Sequence, residues 1–237
     1  MMLQKALTFS SLTALVLLAA TPADAQGRYG RDRENALRIE AGRFQVDADS
    51  SYWNGSFEDF TGEADDFDGV SIGLDYSRDL TQFLQLQVGA SVYEGEADQA
   101  YRDFVDNRDR PIEHLTTLSI ASATVGLTAR LAPKQSPVVP YLGVGGGLYA
   151  WNLEESGDFV DFGGVRPVIF SDTFEEDGEA FGWYWLAGIE VPVSSSLAFY
   201  AQGRWQDVDD DLEGDFGDLG KLDLSGRHLT AGLSWRF

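Results

Sequence analysis

The chain reads as all-β: an eight-stranded antiparallel up-and-down transmembrane β-barrel with short periplasmic turns and long acidic extracellular loops. Three observations predict this. Apolar residues recur at every second position over strand-length runs, which is the signature of a sheet with two unlike faces. Short and long connections alternate along the chain, as they do when tight turns close one end of a barrel and free loops the other. Downstream of Ala20 no apolar run has the length, about 20 residues, that a spanning helix needs, so a membrane crossing has to be made with strands.

The first segment is set apart from this pattern. Lys5 gives a positive start, Ala14 to Ala20 form a short apolar stretch, and Ala23-Asp24-Ala25 supplies the small-x-small pattern of a cleavage site. Residues 1–25 are therefore expected to be a signal peptide removed before Gln26, residues 26–35 an N-terminal segment, and residues 36–237 the barrel.

Eight runs qualify as strands. The clearest begin at Val70, Leu84, Ala121, Leu142, Phe181, Leu197 and Leu229, and Leu37-Ile39-Ala41 is the first and shortest. Between the apolar positions stand polar or tiny residues, such as Ser71, Gly73 and Asp75, or Gln85, Gln87 and Gly89. A soluble sandwich also alternates, so the connections carry the distinction. Those at 77–82, 133–137 and 194–196 are short, whereas 47–69, 94–114, 152–179 and 207–224 are long. The first long one holds Asp49, Glu58, Asp59, Glu63, Asp65, Asp66 and Asp68 with no Lys or Arg. Charge at the bilayer midplane is costly, so acid confined to loops suits a spanning barrel. Trp53, Tyr93, Trp151, Trp183, Trp185 and Trp205 fall near strand ends or on the outward face, where interfacial girdles are expected.

Composition excludes several classes. The formal net charge of −22 repels phosphate backbones, so no nucleic-acid partner is expected. The chain has no cysteine, hence neither a disulfide framework nor a thiolate metal site. Aromatic residues make up 13%, too many for an acidic disordered chain. No phosphate-cradling glycine loop, zinc-ligand cluster or basic patch is present. The glycines at 145–147 lie inside a predicted strand, where they allow close approach of neighbours.

Apolar side chains that face lipid leave the other parity facing the lumen. That inward set contains Arg38, Glu40, Asp75, Arg130, Glu190, Arg204 and Arg236. Eight strands enclose a space just wide enough for side chains, and an unpaired charge there is expensive. A cross-lumen charge network that plugs the barrel is the expected arrangement, with a gated small pore as the alternative. The parity near Leu118 and Ile120 runs against the rest of its strand and suggests a β-bulge.

The final residues, Thr230 to Phe237, place Gly232, Trp235 and Phe237 on the last strand. They resemble the C-terminal signal read by the machinery that assembles outer-membrane barrels. Val139 to Gly147 resembles the fifth strand, and Gly188 to Val193 with the serine turn the sixth-to-seventh hairpin, of the OmpA-like and related eight-stranded outer-membrane β-barrel families. The resemblance covers essentially all of the mature chain. It implies residence in the outer membrane of a Gram-negative bacterium, contact with lipid and lipopolysaccharide, the barrel-assembly machinery as a partner in biogenesis, and a monomer.

Two sets of residues bear on chemistry. His114-Leu115-Thr116 and His228-Leu229-Thr230 share a His-x-Thr pattern, and a His beside a hydroxyl and an acid can activate a nucleophile. It departs from the His-x-Ser of lipid A deacylases, so hydrogen-bonding rim histidines are the simpler reading. Asp207, Asp209 and Asp211 alternate as Ca²⁺ ligands do, but Leu212 stands where the turn of an EF-hand needs glycine. No cofactor is expected otherwise. The function expected is a non-enzymatic one, in envelope structure or surface interaction through the acidic loops. A narrow channel is the alternative, followed by a lipid A-modifying enzyme and a soluble lipocalin-like barrel.

Overall fold

The computed structural model describes residues 33–164 and 166–237; the expected signal peptide lies outside them. Eight long antiparallel strands close a barrel: β1 (Asn35–Val46), β2 (Gly69–Asp79), β3 (Leu84–Val105), β4 (Pro111–Arg130), β5 (Val139–Asp161), β6 (Val168–Pro192), β7 (Leu197–Asp207) and β10 (Gly226–Arg236). Each pairs with its sequence neighbours, and β1 pairs with β10 from Ala36–Arg236 to Val46–Gly226, so the ring has no open seam. Between Asp207 and Gly226 a small hairpin of β8 (Asp209–Asp211) and β9 (Lys221–Asp223) is inserted.

The faces follow from the period of two. Ile39, Ile72, Leu74, Val125, Leu142, Phe181, Phe199, Leu229 and Leu233 are exposed on the outside, while Arg38, Glu40, Asp75, Gln87, Thr124, Glu190 and Gln202 are buried inside. This inversion, apolar out and polar in, is that of a sheet dissolved in lipid. No helix among the described residues is long and apolar enough to cross a membrane.

Glycine makes room where the interior is fullest. A Cβ on Gly145 would lie 2.4 Å from the Val125 carbonyl oxygen and 2.5 Å from the Tyr184 hydroxyl, and one on Gly188 would strike the Tyr141 ring at 2.5 Å. The glycines of β5 and β6 thus admit two inward tyrosines.

The two ends of the barrel differ. At one, connections such as 194–196 are tight, with Val193 and Ser194 both donating to the Leu197 carbonyl. At the other, the expected loops 94–114 and 152–179 are largely regular strand. β3 pairs with β4 up to Ala100–Glu113, and β5 with β6 up to Asp161–Val168. These four strands outrun β1, β2, β7 and β10 and stand up as a sheet. The loop reading failed because their acidic residues (Glu94, Glu96, Glu154, Glu175, Glu179) sit at alternate positions of strands surrounded by water, where apolar periodicity has no reason to continue.

The expected bulge at Leu118 and Ile120 is corrected as well. β4 pairs without a break from Leu84–Ala129 to Ala100–Glu113, and Leu118, Ile120, Ser122, Thr124, Thr128 and Arg130 all point inward. The parity is constant; the interior changes from polar to apolar.

Replacing Gly145 by Val is expected to destabilise the folded barrel by about 1–3 kcal/mol through overpacking against Tyr184. The fraction that keeps the compact, heat-modifiable form on gels should fall accordingly.

Candidate functional site

The interior is built in two tiers. The lower tier is polar. Glu190 on β6 receives Arg38 from β1 at 3.2 Å and Arg236 from β10, so one carboxylate ties the closing strands across the lumen to β6. Arg38 lies between the rings of Tyr141 and Tyr200, 5.3 Å from each. Arg204 reaches Asp75 at 3.8 Å and lies 4.8 Å over Tyr184. Glu40 accepts from Gln202 Nε2 (2.8 Å), Thr230 Oγ1 (2.9 Å) and the Tyr200 hydroxyl (3.2 Å). Arg130 bonds to Asp79 at 2.7 Å, and Lys134 approaches the other Asp79 oxygen at 2.8 Å.

All seven residues of the expected lumen set therefore lie inside the barrel. Their four guanidiniums face four carboxylates once Asp79 is added to Glu40, Asp75 and Glu190. Sequence reading missed Asp79 because it stands at the end of β2, beside a turn. It also missed Tyr184 and Tyr200, which the inward parity of Glu190 and Arg204 would have assigned to the lumen, and Tyr141, which the outward Leu142 and Val144 of its own strand would have assigned there.

The upper tier is apolar and comes from the loops. Helix α1 (Ser51–Asp59) turns Tyr52, Trp53 and Ser56 inward. It is short and has neither a side-chain N-cap bond nor an acidic first turn, so packing has to hold it. Its cap hydroxyl is used elsewhere: Ser50 Oγ accepts from the Asp223 N–H (3.2 Å), and Ser51 Oγ from the Lys221 N–H (2.8 Å). Trp53 Nε1 donates to the Asp223 carbonyl at 2.9 Å. Phe67, from the 3-10 turn Ala64–Phe67, packs on Trp53 with ring centroids 4.8 Å apart. Phe216, Leu212 and Leu222 come from the β8–β9 insertion. Together with Phe44, Tyr93, Leu118, Ile120, Tyr149, Trp151 and Leu153 on the strands, they make a continuous buried core across the barrel mouth.

Trp53, Tyr93 and Trp151 are thus interior residues and not girdle residues, whereas Trp183 and Trp185 are exposed outside. Trp185 stacks on Trp205 at 3.9 Å. In the 47–69 connection, Trp53 and Phe57 four residues apart are the signal that a helix with an apolar face caps the mouth.

The histidines are both inward and buried. His228 Nδ1 lies 3.0 Å from Ser71 Oγ and its Nε2 3.0 Å from Gln206 Oε1, with Phe44 against its ring. A Ser–His pair of this kind has the contact of an activated hydroxyl, but it lies beneath the apolar tier. His114 sits higher, outside the membrane-spanning part, among Phe60, Tyr101 and Phe159. Burial pushes its pKa from 6.5 down to about 4. Nearby, Tyr52 donates to buried Glu155 at 2.6 Å. Burial raises the Glu155 pKa although the Tyr52 bond opposes it.

Asp207, Asp209 and Asp211 are not gathered around one point: Lys221 pairs with Asp209 and lies 3.9 Å from Asp211 across the hairpin. Among the described residues no group of three or more His, Cys, Asp or Glu has the geometry to hold a metal. An open cleft of about 700 Å³ beside this hairpin is lined by Asp47, Asp49, Asp207, Asp209, Asp223 and Lys221. Of the expected C-terminal signal, Trp235 and Phe237 are exposed outside with ring centroids 5.4 Å apart, while Gly232 has the inward parity of Thr230 and Arg236 and pairs with Glu40.

This is the architecture of a small membrane barrel, and comparison with known proteins places it. Residues 10–237 match the family described as the outer membrane protein beta-barrel domain, and the chain belongs to it. The protein accordingly resides in the outer membrane of a Gram-negative bacterium, in contact with its lipid and lipopolysaccharide. No curated protein sequence matches the chain. Among solved structures it is similar in fold to Neisserial surface protein A, with 15% identity, 88% of this chain and 100% of the other covered, and a TM-score of 0.51. It is also similar to the outer membrane protein OprG of Pseudomonas aeruginosa, with 13% identity, 88% and 98% covered, and a TM-score of 0.50.

Two outcomes follow. Glu190→Gln leaves two buried guanidiniums short of their counter-charge and is expected to cost about 3–5 kcal/mol in urea unfolding. The pH profile carries the second. Unfolded His114 takes a proton near 6.5 and the folded one near 4, so its contribution to stability is complete above 6.5 and declines as pH falls toward 4. Glu155, with its raised pKa, acts in the opposite direction. His114→Phe should therefore lose less stability than the native chain between pH 7 and 4, measured in parallel unfolding series.

Proposed function

We propose that this protein is a closed, non-enzymatic barrel whose working part is the external sheet and its acidic surface, held upright as a platform for surface interaction. The observation that carries the reading is the doubly filled interior. A polar tier of paired and hydrogen-bonded ions lies below a tier of aromatic side chains, and we read a narrow lumen filled in this way as closed to a continuous aqueous path. The second tier also places the Ser71–His228 pair beneath a stopper that a lipid substrate would have to displace. His114, for its part, is ringed by aromatics and has no hydrogen-bond partner on either ring nitrogen among the described residues, which supports a structural role for it.

The acidic loops fit the same reading. They are built on regular structure: β3 to β6 carry their carboxylates on paired strands, and α1 and the β8–β9 hairpin are joined by bonds from Ser50, Ser51 and Trp53. On this account the C-terminal Gly232, Trp235 and Phe237 serve assembly and no later step, and the barrel acts as a monomer.

The refolded protein in a planar bilayer is expected to be electrically silent, and to stay silent when Arg204 is replaced by Gln. Steady unit currents that shift with that substitution would instead establish a narrow channel through the charged tier.

A further inference from the structure

The sheet that stands above the barrel has two edges, and the chain treats them differently. On β3 the edge is covered: Phe60 bridges to Tyr101, the Thr61 N–H donates to the Ala100 carbonyl (2.7 Å), and the Ala100 N–H donates to Thr61 Oγ1 (2.9 Å). Arg102 adds a bond to the Phe57 carbonyl at 3.1 Å. On β6 the neighbour stops early. β7 pairs with β6 only from Trp183–Asp207 down to Pro192–Ala198, while β6 continues upward to Val168. Part of that excess is covered, since a Cβ on Gly182 would meet Val208 at 2.2 Å and the Glu213 N–H donates to Glu176. Between Val168 and Phe174 no second strand and no further backbone–backbone bond covers the edge among the described residues.

An antiparallel strand with one neighbour turns the N–H and C=O of alternate residues outward. Native proteins usually blunt such an edge with Lys, Pro or a bulge. Residues 168–181 contain no Lys, Arg or Pro, and the pairing with β5 is free of register shifts. The free stretch is instead Val-Ile-Phe-Ser-Asp-Thr-Phe, of strong strand propensity. Val168, Ile169 and Phe170 are exposed, next to an exposed contact between Phe104 and Phe162 at the hairpin tips (4.8 Å). The Thr173 N–H takes its acceptor from its own strand, the Asp172 carboxylate at 2.9 Å.

We infer that the open edge of β6 from Val168 to Phe174 is a docking strand for an extended, lysine- or arginine-bearing segment of another protein, which joins the sheet as its fifth strand. The row of backbone groups selects an extended chain. Asp172 on the edge, with Glu176 and Asp177 just below it, selects cations. A second copy of this chain, itself at −22, is disfavoured by the same charge. The inference rests on the reading that the external sheet is the working part.

The test uses the whole refolded protein in lipid nanodiscs. The probes are a peptide of alternating lysine and valine, and the same peptide N-methylated at every second residue. The unmodified peptide is expected to bind and to slow amide exchange across Ile169–Phe174 by about tenfold or more. The methylated peptide should bind at least about tenfold more weakly, as should the unmodified peptide to Asp172→Lys, a surface change that leaves the barrel intact. Equal binding of both peptides would mean attraction by charge alone, and binding without protection of that edge would place it elsewhere; either result, or no binding, overturns the inference. Bilayer silence is measured separately, so a silent barrel that ignores the peptide removes this inference and leaves the closed-barrel reading standing.

Discussion

The structure depends on what happens to charge inside a cylinder too narrow for bulk water. An eight-stranded barrel leaves space for side chains and little else, so each ion brought inside has to find a counter-ion or hydrogen-bond donors there. Glu190 is where this constraint is concentrated. Its carboxylate receives Arg38 and Arg236, one from each of the two strands that close the ring, and so ties closure of the barrel to the filling of its lumen. Asp75 with Arg204 and Asp79 with Arg130 repeat the arrangement at other positions. Tyrosine faces fill the space beside the guanidiniums, and glycines such as Gly145 and Gly188 give those rings room.

Above this tier the same inward parity is occupied by Leu118, Ile120, Tyr149, Trp151 and Leu153, met from the loop side by Trp53, Phe67, Phe216 and Leu222. The wall is thus a membrane barrel below and behaves above as the shell of a small water-soluble domain, apolar inside and acidic outside. The hydrophobic effect acts in opposite radial directions at the two heights of one β-sheet. This inversion also explains the long strands: once the mouth has a core of its own, β3 to β6 have something to pack against and continue well past their shorter neighbours.

The legible and illegible parts of the sequence divide along the same line. In the lipid the outward face has to be apolar, so the alternation in β2, β3, β7 and β10 was plain, and with it the strand number, the antiparallel order and the seven inward charges. Outside the lipid that requirement ends. Glu96 and Glu154 on the upper strands then read as loop, and the inward Leu118 and Ile120 read as a break in register although pairing there is continuous. Trp53 and Trp151 looked like membrane anchors for a related reason: aromatic residues near strand ends serve girdles and cores equally well, and only the helical spacing of Trp53 and Phe57 hinted at a cap. The pairing of Arg130 with Asp79 joins residues far apart in sequence and had no local signal.

The claim that the interior is filled from both ends has a direct test, because the chain has no cysteine of its own. Ser122 is buried where the polar tier meets the aromatic one, bonded to Ser91 at 2.8 Å. A single cysteine placed there by Ser122→Cys, in the otherwise native folded barrel, would be exposed to a small charged thiol reagent from both sides of the membrane. The expected result is no labelling until the barrel is unfolded, while Asp109→Cys at a hairpin tip labels at once. Rapid labelling of the residue 122 thiol in the folded protein would mean that water and ions traverse the lumen, and would contradict the closed barrel on which this account stands.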